Sequence, residues 1–311
     1  MTVPEDQLND EVELDFKQGI QANSGGWYDN LQYLGRGGSA VTWLMLAKSG
    51  PFKGTPFAVK IFRRVSKPER RESFINEMTF LRVCNHPGIM RTFDEGVYRE
   101  DHPFVVAEYL PQTLGKLMRA GTSSMVEKLS FMLQLLSTLD YLATLPTPVV
   151  HRDIKPQNVF VKGGACVLGD FGLMKHLNGS QEDSPDDVLK HSVGPGMPFF
   201  YRTPDQVAYL RNEAELTVAS DVFQLGLLAA ELFTGWNPEK RVEHDKFRSD
   251  VELWPLRFVP GSSGGMIAGL IRNMLVFDPS IRPTAGVLFD QWRGVFLQVA
   301  SSQYAIEGRV L

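Results

Sequence analysis

The chain has 311 residues, 43% of them hydrophobic and 22% charged, with a formal net charge of −4. That is the balance of an ordinary globular protein, long enough for two packed lobes with a cleft between them. No long basic run is present, which argues against nucleic acid as a main partner, because phosphate contacts need clustered lysine and arginine. Cys84 and Cys166 stand far apart, in no metal-binding or redox spacing, and favour a reduced, cytoplasmic setting. The first fifteen residues are acidic without an apolar core, unlike a secretory signal. The longest apolar stretch, Leu225 to Phe233, contains Glu231 and is too short to span a bilayer, so no membrane role is expected.

Residues 1–30 read as an acidic N-terminal extension that ends in a flexible joint, Asn23-Ser24-Gly25-Gly26. From residue 31 to residue 110, short β-type runs dominate: Leu31 to Leu34, Val41 to Leu46, Phe57 to Phe62 and Phe104 to Tyr109. One helical stretch interrupts them, Arg71 to Val83, with Phe74, Met78 and Leu81 on one face. From residue 111 to residue 296 the chain becomes mainly helical. Leu129, Met132, Leu136 and Leu139 follow helical spacing up to the Pro146-Thr147-Pro148 breaker. Val159 to Val161 and Cys166 to Leu168 flank Gly163-Gly164, a hairpin signal. Asn178 to Gly196, rich in Ser, Asp and Gly, reads as a mobile loop, and its Glu182, Asp183, Asp186 and Asp187 as a solvated cluster. Val218 to Phe233 reads as an apolar helix, and residues 297–311 as a tail. Trp43, in strand spacing, reads as packing.

Several short stretches carry chemistry. Leu34-Gly35-Arg36-Gly37-Gly38-Ser39-Ala40-Val41-Thr42 joins two strand-like runs, and glycines there let backbone N–H groups approach phosphate. Phe57-Ala58-Val59-Lys60 puts a lysine in an apolar strand, where a buried ammonium needs an anionic partner. Glu77, on the following helix, can supply it. Val150-His151-Arg152-Asp153-Ile154-Lys155-Pro156-Gln157-Asn158 is followed by Gly169-Asp170-Phe171-Gly172.

With these stretches in this order, the chain resembles the eukaryotic-type protein kinase family, from about Leu31 to Phe296. The resemblance implies an α+β, bilobal protein-kinase fold: a small β-rich lobe with one key helix, then a larger, mainly helical lobe. It implies transfer of the γ-phosphoryl group of ATP, with Mg²⁺, to Ser or Thr hydroxyls of a protein substrate, autophosphorylation included. Gly35, Gly37, Gly38, Ser39 and Ala40 would cover the ATP phosphates, and Lys60, oriented by Glu77, would hold them. Thr42, Ala58, Ala107, Glu108, Leu110 and Phe160 would surround adenine. Asp153 would accept or orient the substrate hydroxyl's proton, and Lys155 would steady the transferring group. Lys155, two residues after Asp153, is similar to Ser/Thr rather than tyrosine kinases. Asn158 and Asp170 would bind Mg²⁺, which favours oxygen ligands. Arg152 is similar to the arginine of kinases switched by an activation-loop phosphate, with Ser192 the preferred acceptor. Asp221 would brace the catalytic loop, and Asp205, in Thr203-Pro204-Asp205, would pair with Arg282.

Some positions depart from the family pattern. Ala40 replaces a glycine, Thr42 a valine, and Phe160 a smaller aliphatic. Pro198 stands where most Ser/Thr kinases have a threonine that contacts the catalytic aspartate, which puts substrate choice in question. Gln112 is the nearest candidate for the ribose. Two alternatives share the fold, a pseudokinase-like scaffold and a small-molecule phosphotransferase. The first usually loses Lys60, Asp153 or Asp170; the second typically lacks the Arg-Asp-Ile-Lys-Pro run.

Overall fold

The computed structural model describes residues 12–177, 201–242 and 248–306. The described residues divide into two compact units, one holding residues 12–85 and 89–111, the other residues 86–88, 112–177, 201–242 and 248–306.

The first unit is a six-stranded antiparallel sheet with one helix. Its strands are β1 (Gly19–Gln21), β2 (Trp27–Arg36), β3 (Ala40–Ala47), β4 (Pro56–Phe62), β5 (Thr92–Tyr98) and β6 (His102–Glu108), in the order β1-β2-β3-β4-β6-β5. Strand β3 shows the period-two rule directly: Val41, Trp43, Met45 and Ala47 are buried, while Thr42, Leu44 and Leu46 between them are partly exposed. The buried set joins Phe57, Val59 and Ile61 of β4 and Phe104 and Val106 of β6 in one core. The opposite face carries Thr42, Ala58, Lys60 and Ala107, because cross-strand partners share a face and Thr42 pairs with Lys60 and Ala58 with Ala107. Helix α1 (Pro68–Val83) starts on Pro68, three residues before the expected Arg71, where a proline's missing N–H costs nothing. Its Phe74 and Met78 pack with Ala40, Phe62 and Val105.

Residues 12–30 are not the flexible extension expected from their composition. Val12, Leu14, Ile20, Ala22 and Tyr28 are buried in the sheet's core. Asn30, itself buried, donates through Nδ2 to the carbonyls of Leu14 and Asp15, both at 2.9 Å. The presumed joint is a tight turn between β1 and β2, closed by Ala22 N–H to Gly26 O at 2.9 Å. Asn23 N–H also donates to Glu95 O at 2.8 Å, so β1 lies beside β5 at the far end of the strand order. Polar residues and glycines outnumber apolar ones over this stretch, yet its apolar side chains still suffice to anchor it in the core.

The second unit is mainly helical. Helix α2 spans Leu114–Ala120, and α3 spans Met125–Thr144 behind a reciprocal Ser124–Glu127 capping box. Then come β7 (Val149–Val150), β8 (Val159–Lys162), β9 (Ala165–Leu168) and β10 (Lys175–His176), with β7 paired to β10 and β8 to β9. The β8–β9 loop is Gly163-Gly164, with φ of 57° and 83°, the left-handed pair that two-residue hairpins favour. Helices α4 (Pro204–Leu210), α5 (Ala219–Thr234), α6 (Gly264–Met274) and α7 (Ala285–Ile306) complete the unit. Helix α5 is buried on nearly all sides, its apolar residues in the core and its buried Asp221 and Gln224 satisfied by hydrogen bonds. A Cβ on its Gly226 would stand 2.9 Å from Met274 and Leu275, so glycine lets α5 and α6 approach. Helix α7 runs to Ile306, past the boundary at 297 where a tail was expected. Among the described residues, no helix is long and apolar enough to cross a membrane.

Candidate active site

In the first unit, Lys60 Nζ lies 2.8 and 2.9 Å from the two carboxylate oxygens of Glu77. Pairing on β4 sets the lysine's height, and the Phe74–Met78 face of α1 turns Glu77, 2% exposed, toward it. The ammonium also stands 5.8 Å from the Phe74 ring centroid. Thr42, Ala58, Ala107 and Lys60 share one face, as described. Gly35 pairs with Thr42, and Gly37 N–H closes the glycine-rich turn on Ala40 O at 2.8 Å. At the end of β6, Glu108 exchanges backbone contact with Arg91: its N–H donates to Arg91 O at 3.1 Å and its Oε1 accepts Arg91 N–H at 3.2 Å. Leu110 is buried.

In the second unit, residues 151 to 158 form a loop held from beneath by α5. Asp221 accepts the N–H of His151 at 2.7 Å and of Arg152 at 2.9 Å. One helical turn on, Gln224 accepts Ile154 N–H at 2.9 Å and donates to the carbonyls of Arg152 and Tyr201. Gln224 was missed from sequence; its place three residues after Asp221 puts both on one helix face. Burial pushes the Asp221 carboxyl up to about 7, against the pull of the two backbone N–H groups. His151, fully buried, donates from Nε2 to Gly169 O at 3.1 Å and accepts Asp153 N–H at Nδ1 at 3.2 Å. Both ring nitrogens are thus committed to the neutral form, and burial depresses its pKa to about 4.

The loop's centre is Asp153. Lys155 Nζ donates to both its oxygens at 2.8 and 2.7 Å, and Asn158 Nδ2 to its Oδ2 at 2.8 Å and its carbonyl at 2.9 Å. Burial raises the Asp153 pKa and the nearby Asp170 charge adds to this, while Lys155 and Asn158 oppose it. Asp170 sits on the left-handed backbone, φ 58°, with its side chain exposed. Asn158, with its Nδ2 engaged, offers its amide oxygen. An amide oxygen and an exposed carboxylate fit a Mg²⁺ ion that takes its remaining ligands from phosphate and water. Among the described residues no group of three or more His, Cys, Asp or Glu could form a protein-only cage.

The other expected residues fall as follows. Phe160 on β8 forms a bridge with Thr113, and Val161 N–H donates to Gln112 O at 2.9 Å. Arg152 is 6% exposed; its Nε donates to Leu173 O and its Nη2 to Met174 O at 3.1 Å. Ser192 and Pro198 lie outside the described residues. Arg282 Nη1 reaches Asp205 Oδ2 at 2.9 Å, both side chains buried. Glu239 was also missed: 3% exposed, it accepts the N–H groups of Tyr201 and Arg202 and the Arg202 Nε–H, and so holds the segment before Asp205.

A probable serine/threonine-protein kinase of Dictyostelium discoideum is 29% identical over 264 residues, 82% of this chain and 15% of that protein. Mitogen-activated protein kinase kinase kinase 5 of Arabidopsis thaliana is 31% identical over 222 residues, 69% of this chain and 29% of its own length. Ephrin type-B receptor 1 of Gallus gallus is 26% identical over 182 residues, 57% of this chain and 17% of the receptor. The chain thus spans less than a third of the length of each of these relatives. The family model described as the protein kinase domain matches residues 28–292. That match covers most of the sequence and runs from β2 into α7, so the chain belongs to the protein kinase family and has its bilobal α+β fold.

Proposed function

We propose that this kinase domain is catalytically competent and transfers the γ-phosphoryl group of ATP, with Mg²⁺, to Ser or Thr hydroxyls of proteins, itself included. The observation that carries the reading is the Asp153 carboxylate held by Lys155 and Asn158 within one loop. In the reaction, the substrate hydroxyl oxygen bonds to the γ-phosphorus as the bond from that phosphorus to the bridging oxygen of ADP breaks. Asp153 takes the hydroxyl proton, or orients it. Lys155, beside that carboxylate, offsets charge on the transferring group, and Lys60, steadied by Glu77, binds the phosphates of ATP. Asn158 and Asp170 would hold Mg²⁺, which would supply neutralisation of phosphate charge. Most of the acceleration comes from positioning and charge, which these residue types supply.

Ser/Thr preference rests on Lys155 and on two relatives with Ser/Thr or mitogen-activated kinase names. The scaffold and small-molecule readings are weaker, because Lys60, Glu77, Asp153, Asn158 and Asp170 are all present and the Asp205–Arg282 pair forms. A cytoplasmic location and control by phosphorylation of Ser192, read by Arg152, belong to the same proposal and rest on sequence alone. Incubation with Mg-ATP and a generic protein substrate, followed by mass spectrometry, tests the central reading. Phosphoserine or phosphothreonine that disappears with Asp153→Asn supports it; phosphotyrosine alone, or no transfer, overturns it.

A further inference from the structure

Three arginines approach the glycine-rich turn from outside the phosphate-loop motif. Strand β4 ends at Phe62, paired with Ala40, so the next residue emerges level with residues 37–39. Arg63 N–H donates to Ser39 O at 3.0 Å and extends the ladder by one step. The Arg63 side chain is buried, and its Nη2 stands 3.1 Å from Gly38 O and 3.4 Å from Gly37 O. Arg64 Nε lies 3.2 Å from the same Gly38 oxygen, and Arg70 Nη1, from the first turn of α1, 3.3 Å.

We propose that Arg63, supported by Arg64 and Arg70, is a positioning residue that aims the N–H groups of Gly38 and Ser39 at the phosphates of ATP. In a trans peptide the carbonyl and the N–H point in opposite directions, and the described residues contain no cis peptide bond. Gly37 O shares its peptide unit with Gly38 N–H, and Gly38 O shares its unit with Ser39 N–H. Both oxygens turn toward one nitrogen, Arg63 Nη2, so both N–H groups turn away from it together. Two successive N–H groups on one side form an anion-binding concavity. Gly37 N–H is not part of it, because Ala40 O already accepts that proton. The guanidinium charges polarise both peptide units, which makes the two N–H groups stronger donors. This matters most here, where Ala40 replaces the motif's third glycine and the turn has less freedom to adapt.

The inference rests on the nucleotide-binding reading above, and one comparison separates the two. Binding of adenosine and of the β,γ-imido analogue of ATP is measured on the full chain with Mg²⁺, for the parent and for Arg63→Lys, Arg64→Gln and Arg70→Gln. Arg63→Lys keeps the charge and loses the fork that spans both carbonyls. We expect the ATP analogue to bind about tenfold more weakly to Arg63→Lys, the scale of one charge-assisted hydrogen bond, and less weakly to the other two. Adenosine, which has no phosphate, should bind all four proteins equally, and the KM for ATP should rise more than kcat falls. Equal losses for both ligands would mean that the arginines merely hold the fold. An unchanged preference for the ATP analogue would mean that the turn orients itself. Either result overturns the inference while leaving the kinase assignment in place. A parent that does not prefer the ATP analogue to adenosine overturns the nucleotide-binding reading, and the inference with it. If Arg63→Lys fails to fold, the part-exposed Arg64 and Arg70 variants carry the comparison.

Discussion

The ring of His151 stands edge-on to the ring of Phe171, with centroids 4.5 Å apart and both side chains fully buried. This contact ties the start of the catalytic loop to the Asp170-Phe171-Gly172 turn, and it makes protonation of His151 costly. Burial is the main cause of its low pKa, with Lys155 and Arg152 adding to it and Asp170 and the Gly169 carbonyl opposing. The folded pKa, about 4, lies below the unfolded value near 6.5. Below pH 6.5 the unfolded chain therefore binds the proton and the folded one does not. The stability that His151 contributes is complete above that pH and falls as pH drops toward 4, by about 3 kcal/mol in all. We expect the difference in unfolding free energy between parent and His151→Phe to shrink from pH 7 to pH 4.5. Urea titrations at both pH values check this, and a difference independent of pH would refute it. Asp221 titrates in the same range with the opposite sign, but it is common to both proteins and cancels.

Arg282 does more than pair with Asp205. Its guanidinium also donates to the carbonyls of Val276 at 2.8 Å, Ala219 at 2.6 Å and Phe277 at 3.1 Å, and it lies over the Phe223 ring. Arg282→Met strands a buried carboxylate and three acceptors, and should cost about 3–5 kcal/mol. Asp205→Ala leaves the arginine three carbonyls, so it should cost less, and the double variant less than the sum. Chemical denaturation of the three proteins measures the order. A larger loss for Asp205→Ala would show that the ion pair outweighs the carbonyl contacts.

The parts of the site legible in the sequence were those encoded in short contiguous runs. Asp153, Lys155 and Asn158 meet because one short stretch of a single loop holds them, and Lys60 meets Glu77 because a strand hands directly to a helix. The arginines on Gly38 were hidden because only the pairing of Phe62 with Ala40 brings residues 25 to 32 positions apart to one oxygen. Strand β5 was missed because Asp94, Glu95 and Gly96 interrupt its apolar pattern at a sheet edge that needs little burial. The packing of residues 12–30 is hidden because mean composition conceals their inward-facing side chains, Val12, Leu14, Ile20, Ala22 and Tyr28.

Catalysis should respond to charge rather than to packing. Asp153→Asn and Asp170→Asn keep the shape and remove the charge, and Asp153→Asn also turns one acceptor oxygen into an N–H donor facing Lys155 and Asn158; each should lower kcat by about 10²–10⁴ while the protein stays folded. Lys60→Met should lower kcat on the same scale and raise the KM for ATP, and it should also lower Tm, because it strands the buried Glu77 carboxylate. Steady-state phosphorylation of one protein substrate, with Tm measured in parallel, checks all three. An Asp153→Asn protein working at the parent rate would remove that residue from the mechanism.

The last prediction concerns a row of small side chains across the sheet. Thr92 of β5, Ala107 of β6 and Ala58 of β4 are consecutive cross-strand neighbours, on the face that also carries Lys60. In the protein kinase family the position of Ala107 usually holds a larger residue that guards a pocket behind the adenine ring. A side chain missing there leaves room that either stays open or is filled by a neighbour such as Phe80, since interiors seldom keep an unfilled hole. We expect the room to stay open to a ligand, because all three residues in the row are small and none can cover the space left beside another. Adenine analogues with a bulky group on the exocyclic amine should therefore inhibit the parent enzyme. Ala107→Met, which lengthens the side chain by a methylthiomethyl group, should abolish that inhibition and leave the KM for ATP nearly unchanged, because ATP carries nothing at that position. Inhibition curves for one such compound on both proteins decide the matter. Equal potency would mean that Phe80 or another large side chain already occupies the space.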